Sequence, residues 1–114
     1  MLAMALLKVC KLTELPPDAV TEVVAGERTF AVLNISGEIV CFDGTCPHAG
    51  GPLGQGMVQG KMLVCPWHGW EYDCRTGVND SDEDMVLERF PVTLEKGDIF
   101  IEVPEQTAEN APAG

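Results

Sequence analysis

The sequence predicts an all-β fold, built as an antiparallel β-sandwich or a small barrel. Short runs rich in β-forming residues alternate with turn signals that recur about every five to fifteen residues. No stretch longer than about ten residues keeps the 3.6-residue period of an amphipathic helix. At 114 residues, the chain is long enough for one domain with its own core and too short for two.

Eight runs enriched in β-branched, aromatic and aliphatic residues are predicted as strands. In chain order they are residues 6–9, 20–24, 29–35, 38–42, 61–65, 70–73, 87–94 and 98–103. The run 29–35 is almost wholly apolar, which indicates a central strand covered on both faces. The only helical candidate is a turn at residues 11–15, which Pro16-Pro17 ends.

Turn residues and loops divide these strands. Ser36-Gly37 and Lys96-Gly97-Asp98 predict hairpin turns. Residues 43–56 form a long loop with five glycines and two prolines, and residues 66–69 form a short aromatic one. Long structured loops in a small β-domain are typical carriers of function. We expect one domain over residues 1–103, followed by a flexible Ala/Pro/Glu-rich tail over residues 104–114.

The charge and the N-terminus limit the function classes. The formal net charge is −11, which argues against binding to nucleic acid or to an anionic membrane surface. The charge suits docking on basic patches of partner proteins, or it serves only to keep the protein soluble. No apolar run reaches the length of a membrane span, and residues 1–7 lack the basic region of a secretory signal. The sequence therefore predicts a cytoplasmic protein.

The five cysteines are an odd number, which does not suit a disulfide framework. Cys46 and Cys65 each precede a proline and lie just before a histidine, as metal ligands do. Cys10, Cys41 and Cys74 are scattered singly, and we interpret them as small buried apolar residues or idle thiols.

The two loops contain the segments Cys46-Pro47-His48 and Cys65-Pro66-Trp67-His68, separated by sixteen residues. Two thiolates and two imidazoles suit zinc or an iron–sulfur cluster. A zinc site of this composition commonly pairs Cys with Cys and His with His, whereas here each loop offers one of each. If each loop gives its Cys to one metal and its His to a second, the site is binuclear with different ends.

At this point the sequence resembles the Rieske family. The shared pattern is C-x-H-x16-C-x2-H followed by GWEYD at residues 69–73. The resemblance implies one Rieske-type [2Fe–2S] cluster, with Cys46 and Cys65 on the inner iron and His48 and His68 on the outer, solvent-facing iron. It also implies a Rieske-type antiparallel sandwich or small barrel that carries a two-loop cluster-binding subdomain.

Four neighbours of these ligands are expected to support the cluster. Gly50 and Gly69 let the loop backbone approach the sulfurs with its N–H donors. The ring of Trp67 is expected to shield the cluster. Tyr72 matches a tyrosine that bonds a cysteine sulfur in the high-potential members of the family, and a core aromatic in a strand is the alternative.

The resemblance also predicts where the reduction potential lies within the range of Rieske proteins. High-potential members of the cytochrome bc type carry an extra disulfide, whose places here are Gly50 or Gly51 and Trp67, and a serine where this chain has Trp70. Both differences remove positive dipole from the cluster, so we expect the lower part of the Rieske range of about −150 to +300 mV.

Low-potential Rieske proteins of this size are similar to the ferredoxins of ring-hydroxylating dioxygenases, which pass electrons from a flavin-dependent reductase to a terminal oxygenase. The resemblance implies those two partners, with transient docking of a monomer. The small subunit of assimilatory nitrite reductase and a zinc-stabilised binding module are the alternatives. Only two histidines are present, so the chain cannot be a complete oxygenase. The acidic loop at residues 79–84 covers the cluster loosely, forms part of a docking surface, or is a solvated turn.

Overall fold

The computed structural model describes residues 4–26, 28–47, 50–67 and 69–104. The described part is built from strands joined by turns and by two short 3-10 turns at Leu12–Glu14 and Leu53–Gln55. Every strand pairing in it is antiparallel, which confirms the predicted fold class. The strands are β1 (Met4–Lys11), β2 (Ala19–Ala25), β3 (Arg28–Ile35), β4 (Glu38–Asp43), β5 (Met57–Gln59), β6 (Met62–Val64), β7 (Glu71–Asp73), β8 (Arg89–Phe90), β9 (Val92–Glu95) and β10 (Asp98–Pro104).

The strands form three sheets, ordered β1-β10-β9, β2-β3-β4-β8 and β5-β6-β7. We call the first two sheets the base and the third the small sheet. The sheet β2-β3-β4-β8 lies in the middle, because its two faces contribute to two separate apolar clusters. Phe30 and Val32 of β3 pack with β10, whereas Ala31 and Leu33 face the small sheet and the loops. The continuous apolar run of β3 therefore reflects burial on both faces, as predicted.

Three details of the strands differ from the sequence-based expectation. The run 87–94 is two strands, because Pro91 has no N–H for a ladder and marks the place where the chain leaves the sheet of β8 for that of β9. The short strand β5 lies among glycines and was not predicted. The turn at residues 96–97 has left-handed φ at both positions, 52° at Lys96 and 82° at Gly97, and Asp98 already belongs to β10.

Strand β10 runs through Pro104, one residue beyond the predicted domain boundary. Residues 105–114 lie outside the described residues, so the flexible tail stays a prediction. No helix in the described ranges is long and apolar enough to cross a membrane.

Candidate metal centre

The first ligand-bearing loop connects β4 to the second 3-10 turn and is held by its own backbone. Thr45 and Pro52 pair across its base as an isolated bridge. The Cys46 N–H donates to the Gly51 carbonyl at 2.8 Å, and the Gly50 N–H donates back to the Cys46 carbonyl at 2.7 Å. These bonds close the loop at Cys46 and fix where its side chain points.

The second ligand-bearing loop is the tip of the β6–β7 hairpin. The Cys65 N–H donates to the Trp70 carbonyl at 2.8 Å, one step beyond the paired residues Val64 and Glu71. Both candidate loops therefore begin at a cysteine whose backbone is the last bonded position of a hairpin.

The structure brings the two motif cysteines together. Cys46 and Cys65 are fully buried, and their thiols interact directly. The Tyr72 hydroxyl lies 3.0 Å from Cys46 Sγ, and the Trp67 backbone N–H donates to the Cys65 sulfur. His48 and His68 lie outside the described residues.

The two loops touch at Gly51. A Cβ added at this residue would lie 3.0 Å from Cys65 Sγ and 2.9 Å from Cγ of Trp67. At Gly50 the same Cβ would meet nothing within 4 Å. Of the two places that the resemblance offered for the extra cysteine of the high-potential members, Gly51 is the one that faces Trp67. Neither Gly51 nor Trp67 can form a disulfide, and all five cysteines of the chain are free.

The remaining predicted neighbours lie on the loops themselves. Gly50 and Gly69 have φ of 77° and 70°, in the left-handed region that favours glycine. Trp67 is 48% exposed, so its ring covers Gly51 on one side and faces solvent on the other. The loops thus combine a buried pair of sulfurs with an exposed aromatic ring on the residue two positions after Cys65.

Burial and hydrogen bonding shift the pKa values of the Cys65 thiol and the Tyr72 phenol. Burial raises the pKa of the Cys65 thiol, and the hydrogen bond from the Trp67 backbone N–H acts in the opposite direction. Burial also raises the pKa of the Tyr72 phenol, and the neighbouring Cys46 adds to the rise. The phenol therefore stays protonated and is able to donate its hydrogen.

The segment after β7 packs back onto Tyr72. Asn79 forms an isolated bridge with Tyr72, and Met85 Sδ lies 3.5 Å from the Tyr72 hydroxyl. The carboxylates of residues 80, 82, 83 and 84 are exposed, and so is the whole tip of this loop. A pocket of about 260 Å³ lies between the loop and Gly69-Trp70. Sequence reasoning treated residues 79–84 as one acidic segment and missed that Asn79 is buried beside Tyr72.

The other three cysteines do not join this centre. Cys41 and Cys74 are buried, and Cys10 is half-buried. Burial raises the pKa of Cys41 to about 12 and that of Cys74 to about 11, so both are neutral thiols at physiological pH. Their placement agrees with the interpretation as small apolar residues.

The described residues fit one half of a Rieske centre. Such a cluster has two thiolates on one iron and two imidazoles on the other. Cys46 and Cys65 supply two adjacent buried sulfurs, with a phenol and a backbone N–H directed at them. Within the described ranges, no group of three or more His, Cys, Asp or Glu side chains forms a separate metal site.

Comparison with known proteins defines the class. Residues 5–91 match the Rieske [2Fe-2S] domain family. The chain belongs to this family and has a Rieske-type [2Fe–2S] cluster as its cofactor.

Within the family, the chain is similar to Rieske ferredoxins. It is 30% identical to the ferredoxin component of biphenyl 2,3-dioxygenase from Rhodococcus jostii (strain RHA1), over 88% of this chain and 94% of that protein. It is 28% identical to ferredoxin CarAc from Metapseudomonas resinovorans, over 83% of this chain and 91% of that protein. It also matches human apoptosis-inducing factor 3 at 28% identity, over 89% of this chain, but it spans only 17% of that longer protein.

Solved structures share the fold. The ferredoxin in a complex of reduced oxygenase and oxidized ferredoxin of carbazole 1,9a-dioxygenase superposes with a TM-score of 0.74 at 28% identity, covering 84% of this chain and 91% of that chain. A putative NADH-dependent nitrite reductase small subunit from Mycobacterium tuberculosis superposes with a TM-score of 0.77, covering 89% and 96% of the two chains. At 16% identity, the second likeness shows the fold alone.

Proposed function

We propose that this chain is a low-potential Rieske ferredoxin that carries single electrons from a flavin-dependent reductase to a terminal, aromatic ring-hydroxylating oxygenase. It is an electron-transfer component and not itself an enzyme. The observation that carries the proposal is the meeting of Cys46 and Cys65, one from each hairpin loop, in a buried position beneath an exposed loop surface.

The proposed ligands are Cys46 and Cys65 for the inner iron and His48 and His68 for the outer iron. The support for the cysteines is their burial and their contact with each other. The support for the histidines is their position two and three residues after those cysteines in the same loops. Because each His follows its Cys toward the loop tip in the sequence, we propose that it is the ligand nearer to solvent.

When bound, the cluster supplies a centre that accepts and releases one electron. Two thiolates and two neutral imidazoles around two ferric ions and two sulfides leave no formal charge, so an added electron meets less repulsion than in a four-thiolate cluster. The chain contributes the donors that stabilise the reduced form, namely the Trp67 backbone N–H and the Tyr72 hydroxyl. Trp70 occupies the place where high-potential members have a serine, which supports a low potential.

The surface around the loops suits transient docking. Pro47 and Trp67 are exposed beside the two buried sulfurs and provide apolar contact area. Exposed carboxylates at residues 80–84 lie on one side, and the chain as a whole carries a net charge of −11. Basic docking faces on the reductase and the oxygenase would be attracted to this surface at long range.

The relatives support the same assignment. A ferredoxin component of a dioxygenase aligns along 94% of its own length, and a related ferredoxin is known in a complex with its oxygenase. We further propose one Rieske domain that extends through Pro104, one residue beyond the predicted boundary, with a flexible tail after it, and a monomer that works in the cytoplasm. The nitrite reductase likeness adds no support for that alternative function, because it shows the fold alone.

The test is direct electron transfer. The protein is reduced with dithionite and mixed by stopped flow with an oxidised ring-hydroxylating oxygenase, and the cluster absorbance is followed. We expect rapid reoxidation that slows as ionic strength rises from about 0.01 to about 0.15 M, where the screening length falls from about 30 to about 8 Å. The proposed function would be overturned if the oxygenase does not reoxidise the reduced protein, or if a flavin reductase does not reduce the oxidised protein.

A further inference from the structure

Met85 brings a sulfur to the candidate metal centre without belonging to either ligand-bearing loop. It is half-buried and packs against the apolar cluster that contains Cys46, Cys65 and Tyr72. Its Sδ lies 3.5 Å from the Tyr72 hydroxyl, which is the distance of a hydrogen bond to sulfur. A thioether accepts hydrogen bonds but has no hydrogen to donate, so the hydroxyl is the donor in this contact.

The backbone holds Met85 beside the strand residue that it contacts. The Met85 carbonyl accepts from the Asn79 N–H at 2.9 Å, and Asn79 forms the isolated bridge with Tyr72. Val78 and Val86 form a further bridge in the same register. Met85 is therefore placed by a short hairpin that is itself paired to β7, so its contact with Tyr72 is built into the backbone.

The Tyr72 hydroxyl lies between two sulfur acceptors. Its oxygen is 3.0 Å from Cys46 Sγ and 3.5 Å from Met85 Sδ. A cysteine that ligates iron is a thiolate and can only accept. Because a phenol has a single hydrogen to donate, the two contacts cannot both be at full strength. The two sulfurs therefore compete for the same hydrogen.

We propose that Met85 is a positioning residue for the Tyr72 hydroxyl, an alternative acceptor that lowers the midpoint potential of the cluster. The inference rests on the proposed function through the role of Cys46 as an iron ligand. The Cys46 sulfur gains negative charge on reduction, so it holds the hydrogen most firmly in the reduced form. Met85 is neutral in both forms and takes its share mainly in the oxidised form, which it thereby stabilises. Reduction adds one electron, and the hydrogen stays on the Tyr72 oxygen throughout.

The size of the effect follows from where the hydrogen lies in each form. Suppose that it is divided equally between the two sulfurs in the oxidised form and lies on Cys46 in the reduced form. Removing the Met85 sulfur then doubles the equilibrium constant for reduction. Because a tenfold change corresponds to about 59 mV for one electron, a twofold change raises the midpoint potential by about 18 mV.

The experiment is a double-mutant cycle on the midpoint potential, measured by protein-film voltammetry at one pH. The four proteins are the parent, Met85→Leu, Tyr72→Phe and the double variant. Leucine conserves the volume of methionine and removes the acceptor. We expect Met85→Leu to raise the potential by about 18 mV, opposite in sign to Tyr72→Phe, and to cause no shift in the Tyr72→Phe background. A fall, no shift, or equal shifts in both backgrounds would overturn the proposal.

A second variant separates the sulfur from the shape of the side chain. Met85→Ile also lacks an acceptor but branches at a different carbon, so we expect a rise of the same sign and similar size as in Met85→Leu. A rise in only one of the two variants would assign the effect to packing and overturn the proposal. Loss of the cluster in both would also overturn it, because Met85 would then serve assembly.

Resonance Raman spectra of the oxidised proteins report the hydrogen directly. The Fe–S stretching bands shift on transfer to D2O when an exchangeable hydrogen bonds the sulfur. Because the hydrogen is released from Met85 to Cys46, we expect a larger isotope shift in Met85→Leu than in the parent, and a smaller one in Tyr72→Phe. An isotope shift in Met85→Leu that is equal to that of the parent would contradict the competition between the two sulfurs.

Met57→Leu is the matched control, since it makes the same substitution in the small sheet at an exposed sulfur that accepts from Gln59 Nε2 at 3.3 Å. We expect its potential to equal that of the parent, and a rise as large as that of Met85→Leu would overturn the proposal. Iron content and the EPR line shape, measured on every variant, show that the ligands are unchanged. Because the electrode needs no protein partner, a failed cycle speaks only against Met85, whereas failed reoxidation by an oxygenase speaks only against the proposed function.

Discussion

The base and the small sheet are stabilised in different ways. In the base, β3 alone buries Phe30, Ala31, Val32 and Leu33 completely, and five of the seven strands have six to eight residues. In the small sheet, each of the three strands has three residues. Its only buried strand residues are Leu63 and Tyr72. We expect apolar burial to be enough to order the base, and we expect the small sheet to depend on the neighbouring metal centre.

The sharpest way to break this comparison is to remove one sulfur. Cys46→Ser is expected to abolish cluster binding, because it leaves an iron with an open, hydrolysable position, and to leave the base folded. Iron and acid-labile sulfide are measured at about two each per parent chain and about zero in the variant. Cys10→Ser, which changes a half-buried thiol of the base, should retain the full complement. If Cys10→Ser loses the cluster and Cys46→Ser keeps it, the ligand assignment is wrong.

Removing the metal from the unmodified protein tests the same division along the backbone. After reduction and chelation of the iron, we expect the amides of β5, β6 and β7 to lose protection against hydrogen exchange, while those of β3 and β10 keep it. Hydrogen exchange followed by mass spectrometry resolves the segments. Uniform loss of protection throughout the described strands would show that the base also depends on the cluster.

Alanine substitutions at two glycines, one in a ligand-bearing loop and one in a turn of the base, test how tightly each region is packed. Gly51→Ala places a methyl group 3.0 Å from Cys65 Sγ and 2.9 Å from the Trp67 ring, so we expect iron content to fall by about half or more and stability to drop by about 1–3 kcal/mol. Gly37→Ala, in the β3–β4 turn, meets no atom within 4 Å but has a φ of 92°. It should cost about 1–2 kcal/mol with full iron content. Full iron content in Gly51→Ala would show that the loops separate easily.

The smallest expected effect concerns the potential alone. Tyr72→Phe removes a hydrogen bond whose gain on reduction is on the order of 0.5–1.5 kcal/mol. For a one-electron couple, about 1.4 kcal/mol corresponds to about 59 mV, so the midpoint potential should fall by roughly 20–60 mV. Iron content and EPR shape should stay nearly unchanged. An unaltered potential would assign Tyr72 to core packing and leave backbone donors to set the potential.

The sequence predicted the base better than the small sheet for a physical reason. Burial on both faces gives β3 a continuous apolar run, and two-residue turns such as Ser36-Gly37 have a specific composition. By contrast, β5 is three residues long and is specified by its partner β6 and not by its own pattern. The break at Pro91 was visible in the sequence, but only the pairing with two different sheets shows its consequence.

The site shows the same contrast. Spacing alone marked Cys46 and Cys65, because ligands in short loops recur at fixed intervals. The burial of Asn79 depends on its isolated backbone bridge to Tyr72, and no local pattern reports it. One signal was available in the sequence: an Asn whose oxygen caps the N–H groups two and three residues later is typical of a tight polar turn.

Strand β1 pairs with β10 from Met4 opposite Pro104 to Lys11 opposite Asp98, so the two ends of the described chain leave the molecule side by side. Both belong to the sheet that carries neither ligand-bearing loop. A domain with adjacent ends can be appended to another protein, or inserted into one, with little distortion of either. The adjacent ends therefore allow the fold to occur as one part of a longer protein. This agrees with the match to human apoptosis-inducing factor 3, in which the matching segment forms 17% of the chain. A reductase could be fused at either end of the domain and would leave the two ligand-bearing loops uncovered.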